Sequence, residues 1–285
     1  MKVRNWMIAT VIAACASCSD EVKDLSFGDK QCFGATLQIA VSGEPITKSR
    51  VQGVSLPDAA EIGVFLRASD GAIYDAFFPT AVKYTAEGTG AGQVWHQDLN
   101  RPLRLSETVG TAYAYYPYQR GMGTSLKVPI RNDGTDWMYA SPVTHLSASN
   151  NLAQFEMRHA MSLIRCKVVR GSYTGTGLET TVRIASNTLA KKANMDLSLA
   201  TVTDHEGIGE DIVAYNVGTL GNEPLVAELW AIPTGSTGAI SIWVVVDDNK
   251  FITTTPELTP VAGNVYNYTI TINEPISVEG ENGSN

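Results

Sequence analysis

The side chains that most often catalyse reactions or bind metals are scattered through this sequence. Its four histidines, His96, His145, His159 and His205, show no spacing typical of a zinc site, and no nucleophile-elbow motif is present. The densest ionisable cluster, Asp-His-Glu at residues 204–206, is followed by glycines that predict a solvated loop. No pair of carboxylates in the sequence indicates a hydrolase. The sequence therefore predicts neither an enzyme nor a cofactor.

Three further patterns have simpler structural explanations. Residues 247–249, Asp-Asp-Asn, offer oxygen ligands for calcium, but a hairpin tip between two apolar runs explains them better. The glycine-rich residues 88–92 lack the strand-to-helix context of a phosphate-binding loop. His159 alternates with apolar residues, and this pattern predicts a hydrogen-bonded, half-buried core histidine.

Composition places the chain among globular proteins that are rich in turns. Of its 285 residues, 44% are hydrophobic and 18% charged, and it contains 25 glycines and 12 prolines. The formal net charge is −8, and no basic stripe interrupts the acidity. Because nucleic-acid binding depends on neutralising phosphates, nucleic acid is not an expected partner.

Residues 1–17 have the features of a secretion signal. Lys2 and Arg4 precede an apolar run over residues 6–14 that is too short to span a bilayer. The junction resembles a bacterial lipoprotein signal, in which a cysteine receives lipid. Cys18, followed by Ser-Asp-Glu, resembles surface-displayed lipoproteins of anaerobic Gram-negative bacteria and is the favoured site. Cys15 is the alternative, and a cleaved signal without lipid is a third reading.

The first strand of the mature chain is predicted over residues 31–41. Phe33, Leu37 and Ile39 fall on one face of it, while the intervening residues are small or polar. A polar loop ending at Arg50 follows, and exposed loops of this kind are preferred sites of proteolysis. Cleavage there would release the first strand and open a hydrophobic groove. The alternative is a permanent first strand with Arg50 in a solvated loop.

The remaining chain alternates brief apolar runs with turn residues, which is typical of β-sandwiches. We predict a linker over residues 18–30, a first sandwich over 31–150, a second over 151–273 and a flexible tail over 274–285. Residues 152–169 also suit a helix, but their alternation favours one long strand.

Several motifs in order resemble the fimbrillin family, the lipoprotein precursors of type V pilins. The motifs are, in chain order, the lipoprotein signal, the first strand with its Thr-Lys-Ser-Arg loop, residues 61–65 (EIGVF), 112–118 (AYAYYPY), Phe155 with 159–162 (HAMS), 228–233 (ELWAIP) and 263–268 (GNVYNY). Together they cover nearly all of the mature chain.

The resemblance implies two tandem transthyretin-like, Greek-key β-sandwiches and export to the outer membrane as a surface lipoprotein. It also implies that an arginine-specific protease cuts after Arg50, and that the groove then accepts a strand from another pilin subunit of the fimbrium. Family members that form stalks donate this strand from a C-terminal extension. Here the tail has only Ile276 and Val278 as an apolar pair, so a minor or anchor subunit, or donation by a strand of the C-terminal domain, fits as well.

Two alternatives stay open at this point. The runner-up function is a surface lipoprotein that binds glycans by stacking sugars on Trp95, Trp137 or the tyrosines of residues 113–118. Separately, Cys32 and Cys166 are either two buried thiols or a disulfide, and a disulfide would hold the first strand permanently in place.

Overall fold

The structure, a computed structural model, describes residues 35–43 and 56–273. Strands dominate this part of the chain, which contains no α-helix and one short 3₁₀ turn over Gly90–Gly92. None of its helical segments is long and apolar enough to span a membrane. The prediction of an all-β fold is confirmed.

The strands are numbered in chain order. Those up to residue 159 are β1 (Ala35–Thr36), β2 (Gln38–Gly43), β3 (Glu61–Ala68), β4 (Val82–Glu87), β5 (Val94–Gln97), β6 (Arg104–Leu105), β7 (Gly110–Tyr116), β8 (Lys127–Arg131), β9 (Met138–Ala140), β10 (Val143–Leu146) and β11 (Leu152–His159). The later strands are β12 (Ser162–Arg170), β13 (Thr180–Ala185), β14 (Leu189–Ala190), β15 (Lys192–Asp196), β16 (Thr201–Glu206), β17 (Ile212–Gly218), β18 (Leu225–Pro233), β19 (Ser241–Val246), β20 (Asn249–Thr254) and β21 (Val265–Ile272).

The first large sheet has the order β2-β11-β9-β7-β3-β4-β5, and β10 pairs with β7. Its inward side chains form one apolar cluster that includes Ile62, Tyr84 and Phe155, all buried. Strand β11 belongs to this sheet through its pairing with β2 and β9. Strand β11 thus follows the predicted boundary between residues 150 and 151 but pairs with strands that precede this boundary. Pairing between distant strands is not encoded in local spacing.

The later strands form a sandwich of two four-stranded sheets. Their orders are β14-β18-β12-β21 and β17-β13-β19-β20. Ile164, Leu229 and Ile242 are among the buried side chains that meet between these sheets. Alternate burial along β13 and β19 is what a sheet with one buried face requires.

A third sheet joins strands from both predicted domains. Strand β15 pairs with β8 on one side and with β16 on the other. Its inward residues, such as Met195, share a cluster with Phe65 of β3 and Tyr115 of β7. Strand β3 is consequently buried on both faces, and this explains its continuous apolar run.

The hairpin between β19 and β20 confirms the predicted tip at residues 247–249. The Asp247 carboxylate accepts hydrogen bonds from the Thr176 hydroxyl at 2.6 Å, the Gly177 amide at 2.7 Å and the Leu178 amide at 2.8 Å. These donors, the Thr176 hydroxyl first, lower the pKa of Asp247 to about 2. The Asp247 carboxylate thus holds the loop over residues 176–178 against the hairpin.

Two other local predictions differ from the structure. Residues 152–169 form two strands, β11 and β12, because the chain leaves one sheet at Ala160 and Met161 and enters another. Residues 204–206 lie in β16 and not in a loop. In both places, tertiary pairing decides the structure where local patterns are ambiguous.

His159 is close to its prediction as a hydrogen-bonded core histidine. His159 is 5% exposed, and its Nδ1 lies 2.8 Å from Asp136 Oδ1. Its ring stacks against Trp230 with a centroid separation of 6.2 Å. It is therefore a hydrogen-bonded core residue, as expected, although more deeply buried.

Replacing Gly63 with alanine is expected to destabilise the fold. Gly63 faces Tyr115 across β3 and β7, and an added Cβ would overlap the Tyr115 ring, which is fully buried. Overpacking of this kind lowers the free energy of unfolding by about 1–3 kcal/mol. Urea denaturation measures the loss. Gly123→Ala is the matched control, because nothing lies within 4 Å of its added Cβ, and equal stability of the two variants would contradict the prediction.

Candidate functional site

The described part of the first strand, residues 35–43, is called here the N-terminal segment. Its longer portion, β2, lies at one edge of the first sheet. Strand β2 pairs in parallel with β11, from Gln38 opposite Leu152 to Gly43 opposite Met157. In the part of the chain that the structure describes, β11 is its one ladder partner. An edge strand can leave a sheet without breaking the pairing of the other strands.

The start of the N-terminal segment reaches a second group of strands. Strand β1 pairs antiparallel with β6, where Ala35 lies opposite Leu105. The Leu37 amide donates to the Leu103 carbonyl at 2.9 Å, and Cα atoms of β2 come within 8 Å of those of β5. The segment therefore bridges β11 on one side and β5–β6 on the other. We call the position of this segment, between β11 and the pair β5 and β6, the seam.

Side chains along the segment alternate between core and solvent. Leu37 is 1% exposed and Ile39 is 9% exposed, and both belong to the core cluster of the first sheet. The intervening residues Thr36, Gln38 and Ala40 are exposed. This confirms the predicted alternation for the described residues, while Phe33 and Gly34 lie outside them.

The polar contacts that hold the segment reach mainly its backbone. The Asn151 side chain donates to the Thr36 carbonyl at 2.7 Å, and the Asn151 carbonyl accepts from the Gln38 amide at 2.8 Å. The Tyr84 hydroxyl donates to the Leu37 carbonyl at 3.0 Å. These contacts do not depend on the segment's side chains. Any strand with apolar residues at alternate positions therefore has the features that the seam recognises.

Tyr84 places a buried hydroxyl group at the seam. Burial raises the pKa of its hydroxyl well above the usual value, so it stays a neutral donor. The hydroxyl also lies 3.1 Å from Gln97 Oε1, and that same oxygen accepts from the Leu103 amide at 3.0 Å. The single proton of the Tyr84 hydroxyl thus has two acceptors, the Leu37 carbonyl and Gln97 Oε1. Sequence analysis did not identify these residues, because topology alone brings them together.

The chain is fixed again immediately after the predicted cleavage loop. Leu56 is 6% exposed, and the Gln93 side chain donates to its carbonyl at 2.7 Å and to the Gly88 carbonyl at 3.0 Å. Asp58 accepts from the Gly88 amide at 2.8 Å. A cut between residues 43 and 56 would therefore leave the downstream chain attached to the first sheet.

The predicted modification sites mostly lie outside the described residues. This applies to Cys15, Cys18, Cys32 and Arg50, whose roles stay predictions. Cys166 is a buried free thiol in β12, and burial raises its pKa to about 12. Its pairing with Cys32 stays a prediction.

The aromatic residues proposed for sugar stacking are largely buried. Trp95 is 9% exposed, Trp137 is 4% exposed and Tyr115 is fully buried. Stacking needs an open ring face, so the prediction that these three residues bind sugars is wrong. They pack in the core clusters instead. Within residues 35–43 and 56–273, there is also no group of three or more metal-ligating side chains.

Strand β21 occupies a position in the sandwich that resembles that of β2. It lies at the edge of its sheet and pairs in parallel with β12, the strand that follows β11 in the chain. Ile270 and Ile272 are buried, while Thr269 and Thr271 are exposed. Strands β2 and β21 are thus both parallel edge strands with alternating faces.

Comparisons with known proteins give one family and one fold. The sequence model of the fimbrillin-like family matches residues 49–284. No curated protein matches the chain.

Three solved structures, all candidate cell adhesion proteins, have a similar fold. The one from Bacteroides uniformis has a TM-score of 0.60 and 18% identity, and the match covers 84% of this chain and 93% of that chain. The one from Bacteroides ovatus has a TM-score of 0.58, 18% identity and coverage of 85% and 94%. The one from Bacteroides fragilis has a TM-score of 0.57, 14% identity and coverage of 85% and 95%. At these identities the likeness shows the fold.

Proposed function

Since the chain belongs to the fimbrillin-like family, we propose that it is a pilus subunit that assembles by exchanging its N-terminal segment for a strand of a neighbouring subunit. Before assembly, it is exported as a lipoprotein that is acylated at Cys18, with Cys15 as the alternative, and held at the outer membrane. An arginine-specific protease then cuts after Arg50. The assembled fimbrium mediates cell adhesion.

One observation carries this proposal: an edge strand closes the seam through backbone contacts and alternating apolar side chains. Release of this segment would uncover the core at Leu105 and Phe155, which belong to the same cluster as Leu37 and Ile39. A strand from another subunit can restore both the ladder with β11 and the apolar cover. The requirement for cleavage delays exposure of this edge until the protein has been exported.

Two parts of the chain are candidates for the donor strand. The tail over residues 274–285 contributes Ile276 and Val278 as its only closely spaced apolar pair. Strand β21 offers the alternation of Ile270 and Ile272 and already pairs in parallel at an edge. The role as a stalk, minor or anchor subunit follows from which of them is used.

Cleavage after Arg50 tests the first step. We expect an arginine-specific endoproteinase, added to the folded chain without its leader, to produce a new N-terminus at Val51 first, because small polar residues surround Arg50 and exposed loops are cut preferentially. Mass spectrometry over time measures the product. Arg50→Ala should remove this product, while Arg120→Ala, a change at an exposed arginine of the described chain, should leave it unchanged.

The second step, assembly of the processed protein, is measured in the same samples. Processed protein should form larger species on size-exclusion chromatography, and the Arg50→Ala variant should stay monomeric. A first cut elsewhere, or a processed chain that never self-associates or binds a partner subunit, would contradict the proposal.

A further inference from the structure

A concave pocket of about 670 Å³ opens on the outward face of the three-stranded sheet formed by β8, β15 and β16. Exposed side chains of all three strands line it, namely Arg131 of β8, Lys192 of β15 and Glu206 of β16. The volume lies within the usual range for small-molecule sites. None of its lining residues belongs to the seam.

Among the described residues, the pocket carries one paired and two unpaired positive charges. Arg131 and Lys192 are directly opposite each other on neighbouring strands, and Lys192 lies opposite Glu206 on its other side. Arg131 binds Asp133 at 2.8 Å. Lys192 and Arg120, however, form no ion pair within 4 Å in the part of the chain that the structure describes. They are available to a ligand.

Hydrogen-bond acceptors and donors lie beside these cations. Asp204 sits at an irregularity in the pairing of β15 with β16, with a positive φ of 54°. Such bulges redirect side chains. Its carboxylate accepts from Lys127 at 2.8 Å and from the Asn194 amide at 3.1 Å, and these bonds lower its pKa. Glu206 has no ion pair among the described residues, so its carboxylate is an open acceptor.

The wall of the pocket is held in place by its own hydrogen bonds. The Trp137 indole donates to the Arg131 carbonyl at 3.2 Å, and the Asn132 side chain donates to the Ala190 carbonyl at 2.9 Å. The Thr135 amide donates to Asp133 at 3.1 Å. A pocket that is already ordered loses less conformational entropy on binding.

We propose that this pocket binds an acidic saccharide, a sugar residue that carries a carboxylate as well as hydroxyl groups. Lys192 and Arg120 contact the carboxylate, while Glu206 and Asn194 bind hydroxyls. The mixture of unpaired cations with polar acceptors matches both parts of such a ligand. An apolar ligand would leave these charges desolvated and unpaired, which is costly. Of the aromatic residues considered in the sequence, only Trp137 lines this pocket, and it does so as a buried ring whose indole donates to the Arg131 carbonyl.

Paired probes test the proposal with the uncleaved, folded chain. D-galacturonate and D-galactose share a ring and hydroxyl groups, and only the first carries a carboxylate. We expect saturable galacturonate binding in an NMR titration, and galactose binding weaker by about tenfold or more, the usual scale for losing a charge-assisted contact. Lys192→Ala combined with Arg120→Ala should weaken galacturonate binding by a similar factor. Lys167→Ala, an exposed lysine of β12, should change it less than twofold.

Three outcomes with galacturonate and galactose would overturn the proposal. These are no saturable galacturonate binding, equal binding of galacturonate and galactose, and galacturonate binding that the double variant does not weaken. Acetate binding as tightly as galacturonate would also overturn it, because the hydroxyl contacts would then contribute nothing. Since the uncleaved chain is used, failure of strand exchange does not affect this result.

Discussion

A disulfide between residues 40 and 154 is expected to abolish assembly of the processed protein, and reduction is expected to restore it. Ala40 and Gln154 are paired across β2 and β11, and both side chains are exposed. Neighbouring strands lie about 4.7–4.9 Å apart, within the Cα range of about 4.4–6.8 Å that a disulfide spans. The Ala40→Cys, Gln154→Cys variant therefore keeps the N-terminal segment in the seam after the chain is cut.

The experiment has built-in controls. After cleavage at Arg50, the oxidised double variant should remain monomeric on size-exclusion chromatography, with no larger species detected, and should assemble after a reductant is added. Each single cysteine variant should assemble in both conditions. Assembly by the oxidised double variant would show that subunits join by another surface.

A second pair of cysteines distinguishes the two candidate donors. Lys167 and Thr269 are paired across β12 and β21, and both are exposed. If β21 is the donor, the oxidised Lys167→Cys, Thr269→Cys variant will also fail to assemble. If the tail over residues 274–285 is the donor, this variant will assemble normally.

The N-terminal segment was predictable because the pattern that identifies it lies within a few consecutive residues. Alternation of Leu37 and Ile39 with polar residues identifies a strand with one buried face, and the structure has that arrangement. The same reasoning identified the hairpin tip near Asp247, where turn residues separate two apolar runs.

The partners of that segment were not predictable, because they are assembled by pairing between distant strands. Tyr84, Gln97 and Asn151 come from two strands and a loop, and no spacing links them to Leu37. Likewise, β8 pairs with β15 across the predicted boundary between the two domains. The sequence contains short apolar runs for both strands but no signal for their register.

The pocket escaped sequence analysis for a related reason. Glycines after Glu206 predict a loop over residues 204–206, yet pairing with β15 extends the strand to Glu206. Arg120, Lys192 and Glu206 are far apart in sequence and meet only through this sheet and its neighbouring loops. A scattered set of charges therefore becomes one site only after the fold is known.

Charged residues on the buried face of the N-terminal segment are expected to free the seam without cleavage. Leu37→Asp combined with Ile39→Asp removes two buried aliphatic side chains, each of which contributes about 1.5–3 kcal/mol of burial free energy. The combined loss of about 3–6 kcal/mol corresponds to a decrease of about 10²- to 10⁴-fold in occupancy of the seam. Burial of the new carboxylates would cost more.

The uncut double variant should therefore bind a hydrophobic dye and form larger species under conditions in which the uncut parent stays monomeric. Gln38→Asp combined with Ala40→Asp places the same charges on the exposed face of the same strand, so this control should behave like the parent. Fluorescence titration and size-exclusion chromatography measure the two properties. If both double variants behave alike, the apolar face does not hold the segment, and exchange of strands at the seam loses its physical basis.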